Sequence, residues 1–241
     1  MTGFEHLTGS ARASPVSVAV WRVELDQPAE VTGAARAWLS PDELERAELF
    51  ATPQGRDRYV VAHGALRDIL ARYLIRAPGE LRFRRGMHGK PMLEGEELAF
   101  SLAHSGPYAL VAVSRRAEVG VDVEVVTDRP EPLFFAGRFF TPAEFEDLRS
   151  SPLEERSRVF FEYWTRKESY LKAIGMGLDQ PLETFQVLAG SGDRPVCDQG
   201  GNPLGWTARD LRPWAGVAGA VAVRGLSVVA RCPTWRPEER T

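Results

Sequence analysis

Three kinds of side chain in this sequence have the type and spacing to do chemistry: carboxylates where carboxylates are costly, a histidine ending a strand, and cations on a glycine-held turn. Residues 160–177 read FFEYWTRKESYLKAIGMG. At about 100° per residue, Phe160, Phe161, Tyr163, Trp164, Tyr170, Leu171 and Ile174 fill one broad helical arc. Glu168 falls inside that arc, Lys172 stands one turn on at its edge, and Glu162, Arg166, Ser169 and Ala173 take the opposite face. A carboxylate on the buried side of a helix requires a cation or a proton. Glu168 is therefore either half of a buried ion pair with Lys167 or Lys172, or a functional acid.

A second acidic cluster lies in GVDVE at 120–124. Side chains alternate along a strand, so the valines share one face while Asp122 and Glu124 share the other. Two adjacent carboxylates repel unless a cation relieves them, and with hard oxygen ligands that cation is magnesium or manganese. The competing reading is a solvated strand face. His104, in FSLAHSG at 100–106, can donate to a phosphate oxygen beside backbone N–H groups, or it is a turn histidine without a task. His63 falls on the apolar arc of its own helix and reads as a satisfied core residue. His6 and His88 are too isolated to assign. The stretch 84–91, RRGMHGKP, reads as a hairpin loop presenting cations, with Lys90 restricted by Pro91. Arg46 and Arg58 add positive charge. Each arginine alone is an ordinary solvated side chain, but converging on one cleft they would suit a ligand with several phosphates. Gly175 supplies a left-handed helix cap.

The elements that must position these groups are legible in chain order. Residues 16–25 alternate as a strand, and Ser40-Pro41-Asp42-Glu43 is a capped helix start. A long helix spans 54–74, followed by strands at 80–85, 97–103 and 108–114. The order then begins again, with a strand at 119–126, the same capped start at Thr141, the long helix around Glu168, and strands near 184–188, 206–210, 219–224 and 227–231. The repetition predicts an α+β fold of two similar halves, residues 1–116 and 117–241, with the seam between them as the natural ligand cleft.

The 241 residues suffice for one large domain or two subdomains, with 44% hydrophobic and 26% charged residues as in ordinary globular proteins. A formal net charge of −3 gives no reason to expect a nucleic-acid or membrane partner, so any anion site must be local. Cys197 and Cys232 form neither a metal spacing nor a disulfide framework. With no signal pattern and no apolar run long enough to span a bilayer, a cytoplasmic protein is expected.

Taken together, GKP at 89–91, FSLAHSG at 100–106, GVDVE at 120–124 and WTRKESYLKAIGMGL at 164–178 resemble the 4'-phosphopantetheinyl transferases of the larger, surfactin-synthetase-activating type. The agreement in order and spacing runs from about residue 40 to 182. The resemblance implies a pseudo-two-fold α+β monomer binding coenzyme A and magnesium in the seam. It implies transfer of the 4'-phosphopantetheine arm to a serine of an acyl- or peptidyl-carrier protein, releasing adenosine 3',5'-bisphosphate. By position, Asp122, Glu124 and Glu168 would hold the metal. Lys90 and His104 would contact coenzyme A phosphates, Arg46 and Arg58 its 3'-phosphate end, and Lys172 the pyrophosphate being cleaved. Glu168 would also be a candidate base for the serine proton. Glu43 stands where many relatives carry a basic residue, and its capping role explains it. Ala103 stands where a serine is common, leaving only its backbone N–H for a phosphate. The alternatives are a non-catalytic coenzyme A or carrier-protein binding module of the same fold, and a metal-dependent phosphotransferase acting on another nucleotide. The aromatic stretch 128–140 is either a carrier contact or a core-covering loop.

Overall fold

The structure, a computed structural model, describes residues 15–128, 131–177, 180–188, 190 and 192–237. In chain order the first elements are β1 (Val16–Glu24), α1 (Ala29–Ala37), α2 (Pro41–Glu48), α3 (Pro53–Leu74), β2 (Phe83–Arg85), β3 (Pro91–Leu93), β4 (Ala99–Ser105) and β5 (Tyr108–Ser114). There follow β6 (Val119–Val125), α4 (Pro132–Phe139), α5 (Pro142–Ser150), α6 (Arg156–Ile174), β7 (Phe185–Val187), β8 (Asp193–Asp198), β9 (Pro203–Leu211), β10 (Val217–Arg224) and β11 (Val228–Arg231). Both capped starts form the same reciprocal box. Ser40 and Thr141 each accept from the backbone N–H three residues on at 3.4 Å, and Glu43 and Glu144 each accept the cap residue's N–H at 2.8 Å.

Alternation along the strands produces layers. On β1, Val18 and Val20 face a core shared by two sheets, while Val23 faces a second core under α3. The first sheet runs β11-β1-β5-β4 and the second β6-β10-β9-β8-β7. The aromatic arc of α6 makes a third core with α4, α5 and the second sheet. Where β4 passes β6 there is no backbone ladder; instead Ser101 and Ser105 hydroxyls accept the N–H groups of Val121 and Val125, each at 3.2 Å. The architecture is thus α+β, with a long helix over one sheet and a second long helix over the other.

The chain leaves the first sheet after β5 and enters the second at β6, then returns. β11 pairs in parallel with β1. Trp235 is buried in the core under α3, its indole N–H donating to Asp68 at 2.9 Å. β11 and Trp235 therefore belong structurally with the first half. Sequence periodicity also overlooked α1, which has no side-chain cap; α4, hidden in an aromatic run; β3, only three residues long; and β8, interrupted by Pro195. The expected strand at 80–85 is shortened to Phe83–Arg85, because residues 78–80 form a proline-led 3₁₀ turn. No helix among the described residues is long and apolar enough to cross a membrane.

The expected polar face of α6 is corrected. Arg166, Ser169 and Ala173 are buried, because α6 is enclosed on both sides. Arg166 pairs with Asp210. The contact that seats the helix is Gly120 on β6: a β-carbon there would lie 2.1 Å from the Ser169 carbonyl oxygen and 2.3 Å from the Ala173 nitrogen. Gly120→Ala is expected to remove more than about 4 kcal/mol of stability or abolish folding. Gly33→Ala on α1, with open space around the new methyl, should be neutral or stabilising by about 0.5–1 kcal/mol. Thermal melts followed by circular dichroism would compare the two, and equal stabilities would refute the close-contact account.

Candidate active site

Because β6 and α6 touch through their backbones, Asp122 and Glu124 on the strand meet Glu168 and Lys172 on the helix. Lys172 Nζ donates to Asp122 Oδ1 at 2.5 Å. Asp122 is almost fully buried, and burial pushes its carboxyl up to about 7 despite the charge and hydrogen bond of Lys172. Its Oδ2 has no hydrogen-bond partner, and neither does the buried Oε1 of Glu168. Burial likewise raises Glu168, against the pull of Lys172 and with the neighbouring charge of Glu124. The buried ion pair considered for Glu168 does not form. Lys167, with no exposed surface, pairs with Glu144 at 2.8 Å, and Lys172 is turned to Asp122. Glu124 accepts from the Ser105 hydroxyl at 2.7 Å.

Two buried carboxylate oxygens without donors, beside a third acid, fit a hard divalent cation. They are not already gathered into a cage: among the described residues, no three His, Cys, Asp or Glu side chains are arranged to hold a metal ion. Glu124 would have to turn from Ser105, and Lys172 from Asp122, to complete one.

On one side of these acids lies a cleft of about 890 Å³ between α2, α3, the β2–β3 hairpin, β4 and the end of α6. Seven lysine and arginine side chains line it against two carboxylates, a setting for a polyanion. Arg46, Lys90, His104 and Lys172 are all in its wall. His104 is open to the cleft, yet the surrounding walls, His63 and Lys172 lower its imidazole. Lys90 directs its ammonium to the carbonyl oxygens of Ala173 at 2.8 Å and Val119 at 3.1 Å.

One expected contact lies elsewhere. Arg58 points out of α3 into a bidentate pair with Asp26, both bonds 2.7 Å, and does not line the cleft. The Ala103 side chain is buried in the core between the sheets, because it shares the β4 face of Ser101 and Ser105. His63 is satisfied but not in the core. It stacks on Tyr59 at 4.1 Å and lines the cleft 3.5 Å from Glu43.

Sequence reasoning understated Glu43, which besides capping α2 accepts from Arg67 at 2.8 Å. Burial alone would raise its carboxyl. Hydrogen bonds from His63 and Ser40 and the Arg67 charge overcome this and hold it at about 2. Only the fold brings Arg67 to it, twenty-four positions along the chain. On the far side of the acids, Glu124 borders a smaller depression of about 370 Å³ walled by Phe135, Phe160, Phe161 and Trp164.

A carboxyl raised above its unfolded value favours folding at acid pH and loses that advantage as pH rises through its folded value. Glu168→Gln keeps the shape of the protonated acid. It is expected to raise the Tm of the metal-free protein at pH 8 by roughly 2–4 °C, the size of about 1 kcal/mol in such a chain, and to match wild type near pH 4. Melts at both pH values test this, and an equal gain at both would exclude a titrating Glu168 as the cause.

Residues 118–222 match the profile of the 4'-phosphopantetheinyl transferase superfamily. The chain is 38% identical over 226 residues to the 4'-phosphopantetheinyl transferase HetI of Nostoc sp., covering 92% of this chain and 90% of the relative. It is 27% identical over 171 residues to the 4'-phosphopantetheinyl transferase Sfp of Bacillus subtilis, covering 70% of this chain and 75% of that one. A holo-[acyl-carrier-protein] synthase of Thermotoga maritima aligns with a TM-score of 0.36 at 22% identity, over 46% of this chain and 64% of that one. On the breadth and level of its identity to HetI, the chain belongs to the 4'-phosphopantetheinyl transferase superfamily of enzymes.

Proposed function

We propose that this protein transfers the 4'-phosphopantetheine group of coenzyme A to a serine of an acyl- or peptidyl-carrier protein, with magnesium or manganese, releasing adenosine 3',5'-bisphosphate. The observation that carries the reading is the pair of unpartnered buried oxygens on Asp122 and Glu168, joined through Lys172 to a cation-lined cleft. Asp122, Glu124 and Glu168 would hold the divalent ion, which when bound supplies Lewis-acid stabilisation of charge on the pyrophosphate oxygens.

The cleft binds and orients the donor. Arg46 has no ion pair among the described residues and is available to the terminal phosphate, while His104 donates to a phosphate oxygen. Lys172 leaves Asp122 for the pyrophosphate, where its ammonium offsets charge as the bond to the nucleotide breaks. The serine oxygen forms the new bond to the phosphorus bearing the pantetheine arm, and adenosine 3',5'-bisphosphate departs with the bonding pair. Glu168, besides holding the ion, is the candidate acceptor of the serine proton. No nucleophile from this chain is required, and in-line placement of the two substrates supplies much of the acceleration. The carrier would approach near α4, where Phe134 is 71% exposed beside the apolar depression bordered by Glu124.

Intact-mass spectrometry of an apo carrier incubated with the enzyme and coenzyme A is expected to show a magnesium-dependent gain of one phosphopantetheine, abolished by Glu168→Gln. Coenzyme A binding without mass gain on any carrier would instead favour a binding module. Arg46→Ala should raise the coenzyme A KM roughly tenfold, while Arg58→Ala should change it by less than about twofold. Steady-state kinetics at fixed carrier concentration measures both, and an equal effect of the two would remove the basis for separating them.

A further inference from the structure

The β2–β3 hairpin comes from the first half of the chain, yet one of its side chains is anchored in the second. Gly86 N–H donates to Lys90 O at 2.8 Å, and Gly89 N–H to Gly86 O at 3.0 Å, closing the turn. Pro91 holds Lys90 extended, at φ −58° and ψ 126°. The Lys90 stem then crosses the seam. Its ammonium reaches the carbonyl of Ala173, in the last turn of α6, and that of Val119, the first residue of β6.

Both acceptors are informative. The last carbonyls of a helix have no intrahelical donor, and a cation there also meets the negative end of the helix dipole. Gly175, the left-handed cap at φ 76°, lies directly under the stem. A β-carbon on it would come within 3.3 Å of Lys90 Cδ and 3.4 Å of Lys90 Cβ. Lys172 precedes Ala173, and Val119 starts the strand that carries Asp122 and Glu124. One ammonium thus ties the hairpin wall of the cleft to both elements that supply the reacting side chains.

We propose that Lys90 is a positioning residue, a clamp across the seam that fixes the end of α6 and with it Lys172, rather than a principal ligand of the donor's phosphates. Two of its three N–H donors are engaged by carbonyls. The inference rests on the transferase reading for its kinetic arm and on the fold alone for its structural arm.

The test compares full-length wild type with Lys90→Met, which keeps most of the stem and removes the donors. Three readouts are taken: hydrogen exchange of peptides covering 168–177 and 117–123, Tm, and steady-state kinetics with coenzyme A and an apo carrier. The expected result is faster exchange in both peptides, a lower Tm, and a kcat reduced roughly tenfold with the coenzyme A KM within about threefold of wild type. Lys90→Arg should restore the exchange protection. Unchanged exchange and Tm, with a coenzyme A KM raised roughly tenfold, would overturn the clamp in favour of phosphate binding. If Lys90→Met does not fold, Lys90→Gln, an amide able to donate to one carbonyl, is read by the same three measurements. Failure of wild type to modify any carrier would defeat the transferase reading, while the exchange data would still decide the clamp.

Discussion

At Gly120 a strand and a helix meet with no side chain between them. The glycine lies against the Ser169 carbonyl and the Ala173 nitrogen at distances that no β-carbon could share. The rest of the site depends on this contact. Asp122 is two residues along the strand and Lys172 three residues along the helix, and their bond closes at 2.5 Å. Even a methyl group of separation would part them, because close-packed layers cannot absorb it without moving an element.

Charge satisfaction separates two groups of buried ions. Lys167 is buried with Glu144 and two backbone carbonyls, Arg166 with Asp210, and Arg67 with Glu43. Each of these ions is neutralised, as buried charges in a stable core must be. Asp122 and Glu168 differ. Each retains a buried oxygen without a donor, and burial raises each carboxyl. Such incomplete satisfaction destabilises the fold locally, and binding sites accept that in exchange for readiness to take a ligand.

The cleft beside these acids is basic but not uniformly so. Glu43 sits within its wall as a permanent carboxylate, engaging Arg67 and helping to hold His63 against Tyr59. Arg67 is therefore occupied within the wall, and the positive charge open to an anion comes from Arg46, the hairpin and Lys172. The cleft is thus locally basic, which a net charge of −3 for the whole chain conceals.

Local chemistry was legible in the sequence wherever the cause was local. The cap boxes at Ser40 and Thr141, the alternation that puts Asp122 beside Glu124, the period that sets Glu168 among aromatics and the left-handed cap at Gly175 all follow from residues a few positions apart. What the sequence could not determine was the partner of each long side chain. Arg58 turned to Asp26 and Lys90 to two carbonyls of the other half, since those outcomes depend on residues up to eighty-three positions away. The polar stripe of α6 was misread for the same reason: periodicity reports one apolar face, but a helix wedged between layers buries both. The return of β11 to β1 likewise has no local signal, because strand pairing depends on which sheet edge lies open to it. Sequence alone therefore set which residues have the type and spacing to do chemistry, and the tertiary structure decided which of them meet, because close packing and charge pairing are properties of neighbours in space.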